Sequence, residues 1–325
     1  MNAVFVAFSA VVLLSPAAPS TAAQTNAYPS RPVRVVVPSS PGGGLDLIAR
    51  MTAPQLTSRW HQQVVVDNRA GAAGIIGTEI VAKAPPDGHT LLVAATDFAI
   101  SPSLYEKLPY STPQDFAPVT ILATSPFVLI ASPSVPAKSV KDLLALSKER
   151  GGRLSYASSG VGTTSHLSMA ILQRQLGADI VHVPYKGAGA ATAAVVTGEV
   201  QFAMNGTGAT VPFIKAGKVR PIAITSSQRL ATLPDVPTVA ESGVAGYEAT
   251  VWIALIAPGK TPRPVIDKIY RDVLDVMKQP EYAAQLRSTG NEPGGLTPAD
   301  FSRFVAAEMQ KYQNVIKQTG IRIEQ

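Results

Sequence analysis

The residues best suited to chemistry lie in four short segments rich in glycine and hydroxyl side chains. They are Ser39-Ser40-Pro41-Gly42-Gly43-Gly44, Ser158-Ser159-Gly160-Val161-Gly162-Thr163-Thr164-Ser165, Tyr185-Lys186-Gly187-Ala188-Gly189 and Asn205-Gly206-Thr207-Gly208. Each directly follows an apolar run of strand length, the place where open α/β sheets hold ligands. Glycine lets the main chain turn tightly and lets a ligand approach it closely. The first amides of a helix have no internal partner, and the aligned peptide dipoles make that end about half a charge positive. Such an end attracts a carboxylate or phosphate without help from Lys or Arg. A plain tight turn accounts for one such loop, but four in equivalent places argue for a shared anion site.

Other chemistries find less support. Gly160-x-Gly162 and Gly187-x-Gly189 lack the third glycine and downstream acid of a dinucleotide fingerprint, and no G-x-x-x-x-G-K-[ST] phosphate loop is present. A serine hydrolase would need a local elbow of the G-x-S-x-G type, which is missing. Ser165 and His166 are the one adjacent pair that could act as nucleophile and base. The plainer expectation is that His166 caps the helix start or packs between strand and helix. His182, inside a strand, reads as a structural histidine, and His61 and His89 as surface residues. Asp46 reads as a helix cap, Trp60 and Trp252 as core. With no cysteine and four histidines that share no ligand spacing, no metal or cofactor is expected. Asn205-Gly206-Thr207 matches a glycosylation sequon but is set aside, because the export signal looks bacterial.

That signal is the run Val4–Leu14, apolar except for Ser9, followed by Ser15-Pro16 and the small residues 17–23. It reads as a signal peptide cut after Ala22 or Ala23, too short to cross a bilayer. No Lys or Arg precedes it, so an uncleaved anchor is the competing reading, while the lack of cysteine excludes a lipoprotein anchor. The rest of the 325 residues suits about two domains. At 46% hydrophobic and 15% charged it can bury substantial cores, which excludes disorder. The net charge of +6 is spread without a Lys/Arg run, so nucleic acid is not an expected partner.

Strands alternate with helices through most of the chain, which predicts parallel sheets covered on both faces. Strands are expected at Val33–Val37, Val64–Val66, Thr90–Ala94, Leu154–Ala157, Val181–Pro184, Val200–Met204 and Val219–Thr225. Helices are expected at Asp46–Trp60 with a kink at Pro54, Ile75–Lys83, Val140–Glu149, Leu167–Leu176 and Ala190–Thr197. The C-terminal part is helical. Val265, Ile269, Val273 and Val276 mark one helix, and Thr297-Pro298-Ala299-Asp300 caps another running to about Lys317. Two extended apolar segments, Val119–Ala131 and Thr250–Ala257, fit a chain that leaves one lobe and later returns to it. The expected division is residues 24–125 with 251–325 as a discontinuous first lobe, and 126–250 as the second.

The motifs also carry a resemblance. Tyr28-Pro29-Ser30-Arg31-Pro32-Val33-Arg34, Pro41-Gly42-Gly43-Gly44-Leu45-Asp46, Val66-Asp67-Asn68-Arg69-Ala70-Gly71 and Pro86-Asp87-Gly88-His89-Thr90-Leu91-Leu92 occur in order. Tyr156-Ala157-Ser158-Ser159-Gly160, Ser165-His166-Leu167, Val183-Pro184-Tyr185-Lys186-Gly187 and Leu233-Pro234-Asp235-Val236-Pro237-Thr238 follow. Together they resemble the Bug-type, TctC-like extracytoplasmic solute receptors of the tripartite tricarboxylate transporter family. The resemblance implies a type II periplasmic-binding-protein fold, two α/β lobes joined by two crossing strands around one cleft. It also implies a periplasmic monomer that grips a small organic carboxylate and passes it to the membrane subunits of such a transporter. The residues it assigns to the ligand are Ser40, Gly42 and Gly43, then Thr96, Asp97 and Phe98. From the second lobe come Ser158, Ser159, Gly162, Thr163, Thr164, Tyr185, Gly187 and Asn205.

Three positions depart from that family's pattern. Ser39 replaces a frequent aromatic, Leu45 a small hydroxyl residue, and Asn205 an aspartate that often meets a ligand amino or hydroxyl group. Asp97 is expected to substitute for part of the missing charge, and a plain carboxylate fits better than an amino acid. A secreted hydrolase using Ser165 and His166, and a ligand sensor without a transporter, are the competing readings.

Overall fold

A computed structural model of the chain describes residues 28–150 and 153–321. The expected export segment lies outside the described residues. Ten strands form one continuous sheet that divides into two halves. In the first half β1 (Val33–Val37) lies between β2 (Val64–Asn68) and β3 (Thr90–Ala95), all parallel, and β9 (Thr250–Pro258) joins β3 in the antiparallel sense. In the second half β5 (Ser155–Ser158) lies between β6 (Val181–Pro184) and β7 (Phe202–Gly206), again parallel.

The 16-residue strand β4 (Phe116–Ala131) belongs to both halves. Its first part pairs with β9, where Thr124 meets Trp252, and with the short β10 (Glu292–Pro293). Its last part pairs with β7, where Leu129 meets Met204, and with β8 (Arg220–Ile224). The sheet is therefore mixed, rather than parallel throughout as the strand–helix alternation suggests. The antiparallel strands at its centre are the long connections, which pattern alone does not orient.

Side chains on alternate residues of each central strand enter different cores, because a strand has a period of two. Val33, Val35 and Val37 face one apolar cluster and Val36 the opposite one. Within β4, Phe127 and Leu129 face one cluster of the second half while Val128 and Ile130 face the other. Helices cover both faces. Helix α1 (Gly44–Trp60) buries Ile48, Leu56 and Trp60, and carries Pro54 inside an unbroken helical span. The helices α2 (Ile75–Ala82), α4 (Val140–Arg150), α5 (Thr164–Leu176) and α6 (Ala188–Thr197) match the sequence pattern to within a few residues.

Three helices go beyond it: α3 (Asp97–Leu104), α7 (Thr207–Lys215) and α9 (Pro280–Ser288). The first two contain Pro102 and Pro212, which read as breakers and hide the helix in a short window. Helix α8 (Arg263–Met277) packs Ile266, Ile269, Val273 and Val276 onto the first half. Helix α10 (Pro298–Thr319) begins where the capping signature predicts, the Thr297 hydroxyl accepting the Asp300 amide N–H at 3.1 Å. His89 is buried, with its ring edge-on to Tyr28 at 5.2 Å, and is not the surface residue expected.

Candidate functional site

The N-termini of α1, α3, α5, α6 and α7 converge on a cleft between the two halves. The cleft has two chambers, of about 480 and 580 Å³, which share Leu45, Ala95, Asp97, Ser159 and Thr163 as a common waist. One chamber is walled by Phe98, Ile100, Leu104, Tyr105, Tyr110 and Val161, with Ser39 and Ser40 beside them. The other is walled by the glycine-rich helix starts: Gly42–Leu45, Thr164-Ser165, Ala188-Gly189 and Gly208-Ala209. Asp97 is the one charged side chain among all the residues lining the two chambers.

The loop before α1 is braced from within. Gly42 sits at φ +82°, in the left-handed region that glycine tolerates. Its amide donates to Asp46 Oδ2 at 2.8 Å. Asp46 is 3% exposed and also accepts from Arg50 Nε. Burial alone pushes the Asp46 carboxyl up, but Arg50, the Gly42 amide and Asn68 together hold it below the usual carboxylate range. The Gly42 amide is thus spent inside the protein, whereas Gly43, Gly44 and Leu45 open the helix on the cleft side.

The loop before α5 is braced by its own hydroxyls. Thr163 Oγ1 donates to the Gly160 carbonyl at 2.8 Å, and the Ser159 amide donates to Ser165 Oγ at 2.9 Å. The Gly162 amide donates to His166 Nδ1 at 3.0 Å. The His166 ring stacks on His182 at 3.7 Å, and His182 Nε2 lies 2.6 Å from Ser158 Oγ. Ser165 therefore bonds to Ser159 and Thr163, whereas His166 serves the backbone beneath the loop. Ser165 and His166 are thus not paired with each other as nucleophile and base. Ser158 and the amide of Gly162 are structural, and Ser159, Thr163 and Thr164 face the cleft.

Besides Ser158, four of the anticipated residues are placed elsewhere. Thr96 is fully buried, its hydroxyl accepting the Trp252 amide N–H at 3.1 Å. The Tyr185 hydroxyl donates to Glu199 at 2.7 Å, away from the cleft. Gly187 caps α6 and donates its amide to the Ser159 carbonyl, so its neighbours Ala188 and Gly189 form the wall. Asn205 is fully buried, and its Nδ2 donates to the Ala188 carbonyl and to Thr192 Oγ1, holding β7 to α6. Sequence reasoning also missed Tyr105, Tyr110, Thr289 and Asn291, which reach the cleft from elements whose patterns give no sign of it.

The two halves touch across the cleft. Thr164 Oγ1 on α5 donates to Asp97 Oδ1 on α3 at 3.2 Å. Thr207 Oγ1 donates to the Gly290 carbonyl at 2.6 Å. Leu167 of α5 joins Ile100, Tyr312 and Ile316 in a small apolar cluster that spans both halves. Asp97 lies deep between the lobes yet keeps its side chain open to the cleft. Burial pushes its carboxyl up, and the hydroxyl and amide of Thr164 oppose that shift.

Two α/β halves on a shared long strand, with helix starts aimed into the gap, define a two-lobed solute receptor. The comparisons agree. Residues 48–321 match the TctC family, the tripartite tricarboxylate transporter family receptor, and the chain belongs to that family. The protein BugT of Bordetella pertussis is 34% identical over 299 residues, 91% of this chain and 92% of its own. The structure of Rpa4515 from R. palustris with adipate superposes with a TM-score of 0.83 at 35% identity, over 91% of this chain and 99% of that one. MatC from Rhodopseudomonas palustris with bound malate gives 0.78 at 31% identity, over 89% and 100%. The fold is the one the resemblance implied, two lobes around a central cleft.

Proposed function

We propose that this protein is a periplasmic receptor that closes over a small organic carboxylate and presents it to the membrane subunits of a tripartite tricarboxylate transporter. The observation that carries this reading is the convergence of α1, α5, α6 and α7 starts on one chamber that lacks any cationic side chain. The helix ends supply the positive potential, and the first-turn amides of Gly43, Gly44, Gly189 and Gly208 supply the donors. Adipate and malate in the two related structures are acids of this size. The lining residues Ser40, Ser159, Thr163 and Thr164 add hydroxyls.

Closure follows from contacts made to both lobes at once. A ligand bridging them favours the closed state by its differential affinity, with β4 and the chain entering β9 as the hinge. The change of partners along β4 and the start of β9 at Thr250 support a division of the lobes near residues 125 and 250. Residues 1–23 act as the export signal in this reading, and no helix among the described residues is long and apolar enough to cross a membrane. Binding without turnover fits the bracing of Ser165 and His166.

A thermal-shift screen of the mature protein with carboxylic acids tests this. A ligand at about 100 times its dissociation constant adds about 2.7 kcal/mol of stability. One acid should stabilise the protein and be recovered unchanged. Consumption of an ester or amide that stops in His166→Ala would overturn the reading.

A further inference from the structure

A carboxylate ligand satisfies only one chamber of this cleft, and the waist beyond it holds an acid. We propose that Asp97 sets the ligand class: the solute carries one carboxylate and a cationic nitrogen, so that it enters as a zwitterion and not as a dianion. This rests on the receptor reading above and refines its substrate class.

The argument is one of charge balance. Asp97 belongs to both chambers, so anything spanning them passes its side chain. One carboxylate oxygen accepts from Thr164, and the group remains open to the cleft. No Lys, Arg or His lines either chamber. The titratable groups that feel the Asp97 charge are Tyr105, at the end of α3, and Tyr312 on α10, and neither is a cation. A second ligand carboxylate there would meet a like charge with no counter-ion beside it, which is unfavourable. An ammonium at the waist meets that acid directly, while its own carboxylate takes the helix starts.

Asn205 cannot play this part. It is uncharged, buried, and its Nδ2 is engaged by Ala188 and Thr192.

The test uses length-matched acids that differ only at one end: 4-aminobutyrate against glutarate, and 5-aminopentanoate against adipate. Calorimetry on the mature wild type and on Asp97→Asn, from about pH 7 to about pH 9, reads the preference as the Asp97 carboxyl, pushed up by burial, loses its proton. Wild type should bind an amino acid of the series at least about tenfold tighter than its diacid partner, and Asp97→Asn should lose or reverse that preference. Tighter binding of the diacid by wild type would overturn the inference and leave the receptor reading standing. So would adipate binding with uptake of one proton, measured in two buffers on wild type alone, since Asp97 would then be a neutral donor. Failure of every acid to bind either variant would sink the receptor reading and this inference with it.

Discussion

The hydroxyl of Thr164 donates to Oδ1 of Asp97 at 3.2 Å, tying the first turn of α5 to the first turn of α3 across the cleft. The bond joins the two lobes at the waist that both chambers share. In the proposed receptor, closure and selectivity would meet at this pair of residues, and several expectations follow from their surroundings.

Thr164→Val keeps the shape of the side chain and removes the donor. A hydrogen bond to a charged group is worth about 1.5 kcal/mol at the low end, so ligand affinity should fall roughly tenfold. The unliganded protein should melt as before, and small-angle scattering should report a more open average. Unchanged affinity would mean that the contact does not hold the closed state.

Gly43→Val acts on the carboxylate end. Gly43 has an ordinary φ of −78°, and a Cβ there would meet nothing closer than the Ser40 carbonyl at 3.6 Å. The protein should therefore fold with little change in melting temperature. The added branch fills the space at the start of α1, so calorimetry should find binding reduced by at least about a hundredfold, the loss of roughly two charge-assisted bonds.

Gly290→Ala acts on the other inter-lobe contact. Gly290 has φ +78°, and a Cβ would come within 2.6 Å of Thr207 Cβ. The substitution costs about 1 kcal/mol in backbone strain even in isolation. It also pushes Thr207 away, which should weaken ligand binding beyond the loss in melting temperature. The double variant Gly290→Ala with Thr207→Ser should recover little of the affinity, because serine keeps the Cβ and hydroxyl oxygen that stand in the way.

The stacked pair His166 and His182 predicts an acid limb in stability. Burial pushes both imidazoles down to about 4 from an ordinary value of 6.5, and for His166 the charge of His182 adds to the effect. Between these values the unfolded chain takes up protons that the folded chain refuses, so stability must fall as pH drops from 6.5 towards 4. Below that window these two groups add no further slope. Urea midpoints measured across it should flatten in His182→Gln. Ligand affinity should hold through most of that window and drop only as the pH nears 4, where folded His166 takes up a proton and can no longer accept the Gly162 amide.

Asn205→Asp should leave the ligand profile alone. Asn205 Oδ1 is buried without a hydrogen-bond partner, and Nδ2 donates to a carbonyl and a hydroxyl. A carboxylate there would face acceptors in place of donors. Chemical denaturation should show a loss of about 1–3 kcal/mol. A changed preference among acids would instead place this side chain in the cleft.

Much of the frame was legible in the sequence because it rests on local rules. The Val33–Val37 strand, the amphipathic Val265–Val276 face and the Thr297-Pro298 cap each follow from spacing or chemistry within a few residues. The glycine-rich loops announced helix starts for the same reason. Helices α3 and α7 were hidden by Pro102 and Pro212, which local reading treats as stops although packing against α10 and β4 tolerates them. His89 read as surface because nothing near it reveals Tyr28, 61 residues earlier, as its ring partner.

The amino-acid order alone determined the strands, most of the helices and the loops with glycine and hydroxyl groups, since period and backbone freedom are properties of neighbours in the chain. Only the tertiary structure decided which of those groups meet a ligand. It spent the amides of Gly42 and Gly162 on Asp46 and His166, turned Tyr185 to Glu199, and brought Asp97 to Thr164, 67 residues away in the chain. The direction in which a side chain points depends on the element packed against it, and that element lies far off in the sequence.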